Sequence, residues 1–218
     1  MLKIILLDAE GTFLRFKPSL GVIYKNLWNE YGVEINEEEV VKKLRMAYRK
    51  VFQEELGGVN LTGEKCKEGW KKVFFKVFKK YSNTPFFEEA FLRAYHFFAK
   101  PDCVEIVPGF YEFVKQAKEY NLKLGVISNW DCRLYSVLEG HNLLKIFDGI
   151  FIGCEIGYLK PRLEIFERAL TFFNVYPKEV LIIGDSFEDD IEPAKRLGCH
   201  YFHITDEFPP FEFFSKLI

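Results

Sequence analysis

The first residues of the chain have the hydrophobic pattern of a buried strand. Residues 4–7 are an uninterrupted apolar run, and Asp8 ends it. A strand that is covered on both faces has such a run, because each side chain meets other protein atoms whichever way it points. The run therefore predicts a parallel strand over residues 3–7.

The middle of the chain has a helical period instead. Between about residues 19 and 99, apolar positions recur every three or four residues. Asn36, with Glu39 three positions later, matches a capping box and predicts a helix that continues to Phe52. Three more helices are predicted over residues 20–31, residues 63–81 after the cap Thr62, and residues 86–99 after Pro85.

After Pro101 helical and strand patterns alternate. Helices are predicted over residues 110–120, 134–138, 163–173 and 193–197, and strands over residues 122–127, 149–152, 180–183 and 199–204. This alternation is typical of a parallel sheet with helices on both faces. The predicted fold class is α/β: a doubly wound, Rossmann-like core of residues 1–14 and 101–218, with a helical cap inserted at residues 15–100. Hinges are expected near residues 13–18 and 99–102, with the active cleft between the two parts.

Composition and charge narrow the class of protein. The chain has 218 residues, of which 49% are hydrophobic and 28% charged, and its net charge is -2. The chain lacks the excess of basic residues that would indicate nucleic acid or an anionic membrane surface as a partner. The apolar run at the start falls far short of the ~20 residues of a membrane span, and no small-residue cleavage site follows it. We expect a cytoplasmic protein, and the oligomeric state stays open.

The five cysteines, Cys66, Cys103, Cys132, Cys154 and Cys199, lie far apart in the sequence. They contain no CxxC pair and their number is odd, which disfavours both a zinc site and a disulfide framework. Reduced, mostly buried thiols are therefore expected.

Polar side chains follow three of the predicted strands. Asp8 follows the first strand, Ser128 and Asn129 follow the second, and Asp185 follows the strand at 180–183. In an open parallel sheet, ligands bind outside the carboxyl ends of the strands, so these side chains should share one cleft. Acidic residues gathered in a cleft repel one another unless a cation lies between them, and all-oxygen ligands favour Mg²⁺.

Four short motifs follow one another along the whole chain. They are Asp8-Ala9-Glu10-Gly11-Thr12, Ser128-Asn129, Lys160-Pro161, and Gly184-Asp185 with Asp190. In this order they resemble the haloacid dehalogenase superfamily, in the subfamily whose helical cap is inserted just after the first motif. Residues 18–24 and Trp70 are similar to the branch that includes the haloacid dehalogenase-like hydrolase domain-containing protein 3 of mammals.

The resemblance implies a phosphatase that hydrolyses a small phosphorylated metabolite. Asp8 would attack phosphorus and form an aspartyl-phosphate, which water then hydrolyses. Lys160 would act in catalysis by neutralising the transferring oxygens, while Ser128 and Asn129 help to bind them. Asn129 has an alternative role as the cap of the following helix.

The resemblance also implies a Mg²⁺ site. The carboxylates of Asp8 and Asp185 and the backbone carbonyl of Glu10 would hold the ion, with Asp190 in the outer shell. For Asp189 the sequence leaves two alternatives, a place in that outer shell or the cap at the start of a helix.

Two positions depart from the usual pattern of the superfamily. Most of its phosphatases carry Asp where this chain has Glu10, the residue expected to protonate the leaving oxygen and later to activate water. Glu has similar acidity and a longer arm, and the enolase-phosphatases have Glu-Gly-Thr there as well. Arg162-Leu163 replaces the usual Asp-Pro and is expected to change only the start of a helix.

Other interpretations stay open beside the phosphatase. In one alternative, Asp8 and Asp185 would only cap the turns that follow their strands. A haloacid dehalogenase needs no metal and lacks Gly-Asp in the fourth motif, which Gly184-Asp185 disfavours. A phosphonate hydrolase would need a cap lysine, for which Lys71-Lys72 are candidates. A non-catalytic binding protein would have no reason to keep Asp8, Lys160 and Asp185, and the substrate itself cannot be deduced from the fold.

Overall fold

The computed structural model describes residues 1–211, 214 and 217. Its centre is a parallel five-stranded sheet in the order β5-β4-β1-β6-β7. The strands are β1 (Ile4–Leu7), β4 (Lys123–Ser128), β5 (Gly149–Ile152), β6 (Val180–Gly184) and β7 (His200–His203). The register aligns Ile4 with Lys123 on one side and with Val180 on the other. The doubly wound α/β fold is thereby confirmed.

Helices cover both faces of the sheet. They are α5 (Phe110–Glu119), α6 (Arg133–Gly140), α7 (Gly153–Ile156), α8 (Leu163–Phe173) and α9 (Glu192–Leu197). Ile4 and Leu6 of β1 belong to the apolar cluster that includes α8 and α9, and Ile5 and Leu7 belong to the cluster that includes α5 and α6. Burial on both faces explains the uninterrupted apolar run of β1.

Four helices lie between β2 (Leu14–Phe16) and β3 (Val104–Ile106). They are α1 (Leu20–Asn29), α2 (Glu37–Tyr48), α3 (Gly63–Val77) and α4 (Phe87–Phe97), hereafter the inserted helices. β2 and β3 pair antiparallel at the base of these helices, which the sequence did not indicate. The division into domains at residues 15–100 stays a prediction. In the described part of the chain, no helix is long and apolar enough to cross a membrane.

The predicted caps of two inserted helices are present. The Asn36 side chain accepts a hydrogen bond from the Glu39 N–H at 2.9 Å, and the Thr62 hydroxyl accepts one from the Lys65 N–H at 3.3 Å. The helix predicted to reach Phe52 is interrupted, because a π-helical segment follows α2 over Arg49–Glu55.

Aromatic side chains form the interior of the inserted helices. Trp28 of α1 is fully buried, and its ring centroid lies 5.8 Å from that of Phe74, 4.9 Å from that of Phe78 and 4.9 Å from that of Tyr81. Such pairs each add about 0.5–1.5 kcal/mol beyond the burial of their area. Much of the chain's abundant phenylalanine therefore serves as core.

The cysteines depart from the prediction of five reduced thiols. Cys66 of α3 and Cys154 of α7 form a disulfide across 88 residues of sequence, so the prediction is wrong for these two. Their spacing gives no sign of the bond, because it depends on the packing of α3 against α7. Cys103 and Cys199 are buried free thiols, and Cys132 is an exposed one.

We predict that Cys66→Ala lowers the free energy of unfolding by about 2–4 kcal/mol, because a long loop of the unfolded chain is no longer closed. Urea unfolding of the oxidised proteins measures this, with Cys132→Ala at the exposed thiol as the matched control. A reductant should lower the stability of the wild type and leave Cys66→Ala unchanged. Equal stability of the oxidised and reduced wild type would contradict the prediction.

Candidate active site

The ends of three neighbouring strands bring the predicted polar residues together. Asp8 follows β1, Asp185 follows β6, and Ser128 is the last residue of β4. The Asp8 N–H donates to the carbonyl of Ile183 at 2.9 Å, which continues the ladder and fixes the backbone at this point. The side chains lie at the carboxyl edge of the sheet, where a doubly wound fold binds its ligands.

Lys160 is the centre of this group. Its side chain is 3% exposed, and its Nζ donates to Asp8 Oδ1 at 2.5 Å and to Asp190 Oδ1 at 2.6 Å. Burial by itself lowers the pKa of Lys160, but Asp190 and Asp8 together outweigh it, so that the pKa is raised and the ammonium keeps its proton. A buried charge of this kind is tolerated because it is paired twice.

Asn129 holds the backbone of Lys160. Its Oδ1 accepts from the Lys160 N–H at 2.7 Å, and its Nδ2 donates to the Lys160 carbonyl at 3.0 Å. Asn129 is not the cap of the next helix, because α6 begins after Cys132. Direct binding of substrate by Asn129 stays a prediction. Its two bonds already give it a role in positioning, which the sequence analysis did not identify.

Gly11 allows Asp185 to lie close to the first motif. The φ of Gly11 is 89°, in the left-handed region, and a Cβ on this residue would lie 2.3 Å from Asp185 Oδ2. Any other residue would meet both a backbone cost and a collision. The loop turns sharply, with the Gly11 N–H donating to the Leu14 carbonyl at 2.8 Å.

Three carboxylates form one cluster. Asp8, Asp185 and Asp190 each offer an oxygen atom, and these atoms lie within 4.8 Å of one another. Burial, and then the charge of Asp8, raise the pKa of Asp185 to about 6. Lys160 supplies one positive charge to these three groups. The excess of negative charge and the all-oxygen donors fit a hard divalent cation such as Mg²⁺.

Asp190 takes part in this cluster mainly as a support. One of its oxygens accepts from Lys160 and the other from the Ser186 N–H at 3.1 Å, so both already have partners. Burial raises the pKa of Asp190, while Lys160 opposes this shift. Asp189 lines the cleft beside it, and the side chain that caps this turn is Ser186, whose Oγ accepts from the Asp189 N–H at 3.1 Å.

Glu10 lines the cleft, and its side chain is exposed to the water there, with protein atoms packed on its other sides. Burial among these atoms, followed by the charges of Asp185 and Asp8, raises the pKa of Glu10 to about 8. The charge of Arg45 on α2 opposes this rise in pKa. The sequence analysis did not place Arg45 in the site, because it belongs to none of the four motifs. A raised pKa favours the protonated carboxyl, which is the form that can donate a proton.

Ser128 stands opposite the carboxylates. Its side chain is buried, and its Oγ accepts a hydrogen bond from the Trp130 N–H at 3.1 Å. Because that bond uses a lone pair, the hydroxyl proton is free to be donated to an anion. The structure thus places all the predicted site residues at one edge of the sheet, around a cavity of about 340 Å³.

A second buried ion pair lies beside the cavity, and the sequence analysis missed it. Arg133 donates to Asp131 through Nε at 2.7 Å and through Nη2 at 2.9 Å. Its guanidinium carbon lies 3.9 Å from the centroid of the Tyr95 ring, and Nη1 donates to the Tyr95 carbonyl at 3.1 Å. The pair therefore attaches α4 to the edge of the sheet. The sequence feature that could have indicated this ion pair is the Asp131-Cys132-Arg133 segment shortly after β4.

The chain is similar to one group of known hydrolases. The sequence model of the haloacid dehalogenase-like hydrolases matches residues 2–198. The haloacid dehalogenase-like hydrolase domain-containing protein 3 of Bos taurus is 27% identical over 217 residues, which cover 95% of this chain and 84% of that protein. The phosphoserine phosphatase of Thermus thermophilus is 25% identical over 216 residues, which cover 90% of this chain and 86% of that protein.

A solved structure has the same fold. The HAD-hydrolase YfnB of Bacillus subtilis, bound to magnesium, has a TM-score of 0.78 at 16% sequence identity, over 99% of this chain and 98% of that one. At this identity the likeness concerns the fold.

We predict that Gly11→Ala is more destabilising than Gly32→Ala by about 1–3 kcal/mol. Both glycines have a positive φ, but a Cβ on Gly32 meets no atom within 4 Å, whereas one on Gly11 collides with Asp185. Urea unfolding of the two variants separates the collision from the backbone cost. Equal losses of stability would show that Asp185 does not lie against Gly11.

Proposed function

This chain belongs to the haloacid dehalogenase-like hydrolase family, and on that premise we propose that it is a Mg²⁺-dependent phosphatase of a small phosphorylated metabolite. One observation carries the proposal: a buried lysine joins the carboxylate that follows β1 to a cluster of carboxylates after β6. A nucleophile, a balancing cation and oxygen ligands for a metal are the components of phosphoryl transfer to an aspartate. The relative named phosphoserine phosphatase supports the same class of reaction.

Asp8 is the proposed nucleophile. Its carboxylate attacks phosphorus, the bond to the leaving oxygen breaks, and an aspartyl-phosphate forms. Lys160 stays protonated throughout and balances charge on the transferring oxygens. Ser128 donates its hydroxyl proton to one of these oxygens. Asn129, through its bonds to the Lys160 backbone, keeps the ammonium at its place.

Glu10 is the proposed acid and base. With its pKa raised to about 8, the carboxyl donates its proton to the leaving oxygen in the first step. The resulting carboxylate then takes a proton from water, which attacks the aspartyl-phosphate and releases phosphate. The longer arm of Glu, compared with the usual Asp, fits because the side chain extends into the open cleft.

The carboxylate cluster is the proposed site of Mg²⁺. Asp8, Asp185 and the backbone carbonyl of Glu10 would hold the ion directly, and Asp190 would support it from the outer shell. Bound there, Mg²⁺ supplies positive charge that offsets the repulsion between the nucleophile and the phosphate dianion.

The alternative activities have less support. A haloacid dehalogenase has no use for the Asp185 carboxylate beside the nucleophile. Lys160 is the only lysine among the described residues that line the cavity. Lys71 lies outside the cavity, where its Nζ pairs with Glu88 Oε2 at 2.8 Å. This disfavours a phosphonate hydrolase with a lysine on the inserted helices. A purely structural role would leave the buried charges around Lys160 without a reason.

The inserted helices are proposed to act as the cap of the active site. They contribute a wall of the cavity that also contains Asp8, and in this position they would exclude water from the aspartyl-phosphate. Separation of the cap at residues 15–100 and a small phosphorylated partner are parts of the same proposal.

We expect Asp8→Asn to lower kcat by more than about 1000-fold while the protein stays folded, because an amide cannot attack phosphorus. Hydrolysis of p-nitrophenyl phosphate with Mg²⁺ measures the loss, and circular dichroism checks the fold. The wild type should lose turnover in EDTA and regain it with added Mg²⁺. Turnover that resists EDTA would refute the metal assignment, and an active Asp8→Asn would refute the nucleophile.

Glu10→Gln should slow alkyl phosphates by about 100-fold or more, and p-nitrophenyl phosphate much less, because the nitrophenolate leaves without a proton. The slope of log kcat/KM against the pKa of the leaving group measures this. Glu10→Asp is the matched control, since it restores a shorter acid at the same place. Equal losses for all leaving groups would mean that Glu10 positions the metal or the cap instead.

A further inference from the structure

The two ends of the active-site cavity differ in chemistry. At the sheet edge, charged groups around Asp8 surround the place proposed for phosphate. The opposite wall, contributed by the inserted helices, consists largely of aromatic and aliphatic side chains, among them Leu44, Trp70, Val73, Phe74 and Phe91. The leaving group of any substrate bound through its phosphate must lie against this wall.

Arg133, the charged residue next to the apolar wall, already has its partners inside the protein. Arg133 donates to Asp131 through Nε and Nη2 and to the Tyr95 carbonyl through Nη1, and the Tyr95 hydroxyl donates to the Asp131 carboxylate at 3.3 Å. Arg45 lies near Glu10, at the charged end of the cavity. Arg133 and Tyr95 therefore offer little to a neutral polar group bound against the helices.

Two further polar atoms, on residues that line this wall, are buried. The Tyr48 hydroxyl and the Trp70 indole nitrogen are covered by neighbouring atoms and have no hydrogen-bond partner among the described residues. A ligand hydroxyl placed against the wall would give up water and find few replacements for it. An apolar group would instead gain from leaving water.

From this wall we propose that the substrate is a phosphate monoester of an apolar alcohol or phenol, with an aromatic or alicyclic leaving group. The proposal rests on the phosphatase activity proposed above and adds the class of substrate. A cavity of about 340 Å³ is large enough for one six-membered ring beside the phosphate. Sugar phosphates and other polyol phosphates are disfavoured by the same wall.

A matched pair of substrates tests the proposal on the intact protein with Mg²⁺. Cyclohexylmethyl phosphate and glucose 6-phosphate both join a six-membered ring to phosphate through one CH₂–O group, but only the second carries ring hydroxyls. We expect kcat/KM to be about 100-fold higher, or more, for cyclohexylmethyl phosphate. Benzyl phosphate, a flat ring with the same linkage, should behave like the cyclohexyl ester.

A matched pair of variants locates the selectivity. Val73 lines the cavity, whereas Val77, one turn further along α3, is buried away from it. Val73→Thr places a hydroxyl on the apolar wall and should reduce the preference for the cyclohexyl ester by about tenfold. Val77→Thr introduces the same group elsewhere and should keep the preference of the wild type.

The possible failures are distinguishable. Equal or faster turnover of glucose 6-phosphate overturns the inference while the phosphatase stands, and so does hydrolysis of p-nitrophenyl phosphate without turnover of either the cyclohexylmethyl or the benzyl ester. A preference that Val73→Thr and Val77→Thr change equally also overturns it, because the wall would not be its source. No turnover of any ester with Mg²⁺ refutes the proposed function and the inference with it.

Discussion

The ammonium of Lys160 between the carboxylates of Asp8 and Asp190 is the interaction on which the rest of the site depends. It joins the loop after β1, the turn before α8 and the π-helical turn Phe187–Ile191 after β6, three segments that are far apart in the chain. A buried lysine without these carboxylates would favour its neutral form, and the carboxylates without the lysine would favour theirs. The charges are therefore stable only as a set, with Asn129 fixing the backbone on which the lysine stands.

A second constraint is the attachment of the inserted helices to the sheet. The Cys66–Cys154 disulfide, the contacts of Arg133 with Tyr95, and a hydrogen bond from Arg162 Nε to the Gly57 carbonyl at 2.9 Å all join the two parts. The apolar wall of the cavity is thereby held over the carboxylates. Arg162, expected only to change the start of α8, thus also contacts the segment between α2 and α3. In the proposed function, this preorganised wall selects substrates by what it cannot hydrogen-bond.

The departures from the sequence-based expectations have a common origin. Three of them join residues that lie about 30 to 90 positions apart in the sequence. They are the pairing of β2 with β3, the disulfide, and the hydrogen bonds of Asn129 to the Lys160 backbone. The π-helical segment after α2 replaces a regular helical turn where the apolar period continued without a break. Periodicity reports whether a residue faces the interior, and it does not report which residue it meets there.

By itself the sequence determined the five strands of the parallel sheet, most of the helices, two helix caps and the gathering of Asp8, Ser128 and Asp185, because burial and strand ends are local properties that the chain shows directly. Family membership followed from the same motifs. The tertiary structure alone decided that Lys160 is bound to Asp190, that Cys66 meets Cys154, and that the pKa of Glu10 is raised to about 8. These properties depend on distances between separate elements and on the water that packing excludes, and neither quantity is present in a local pattern.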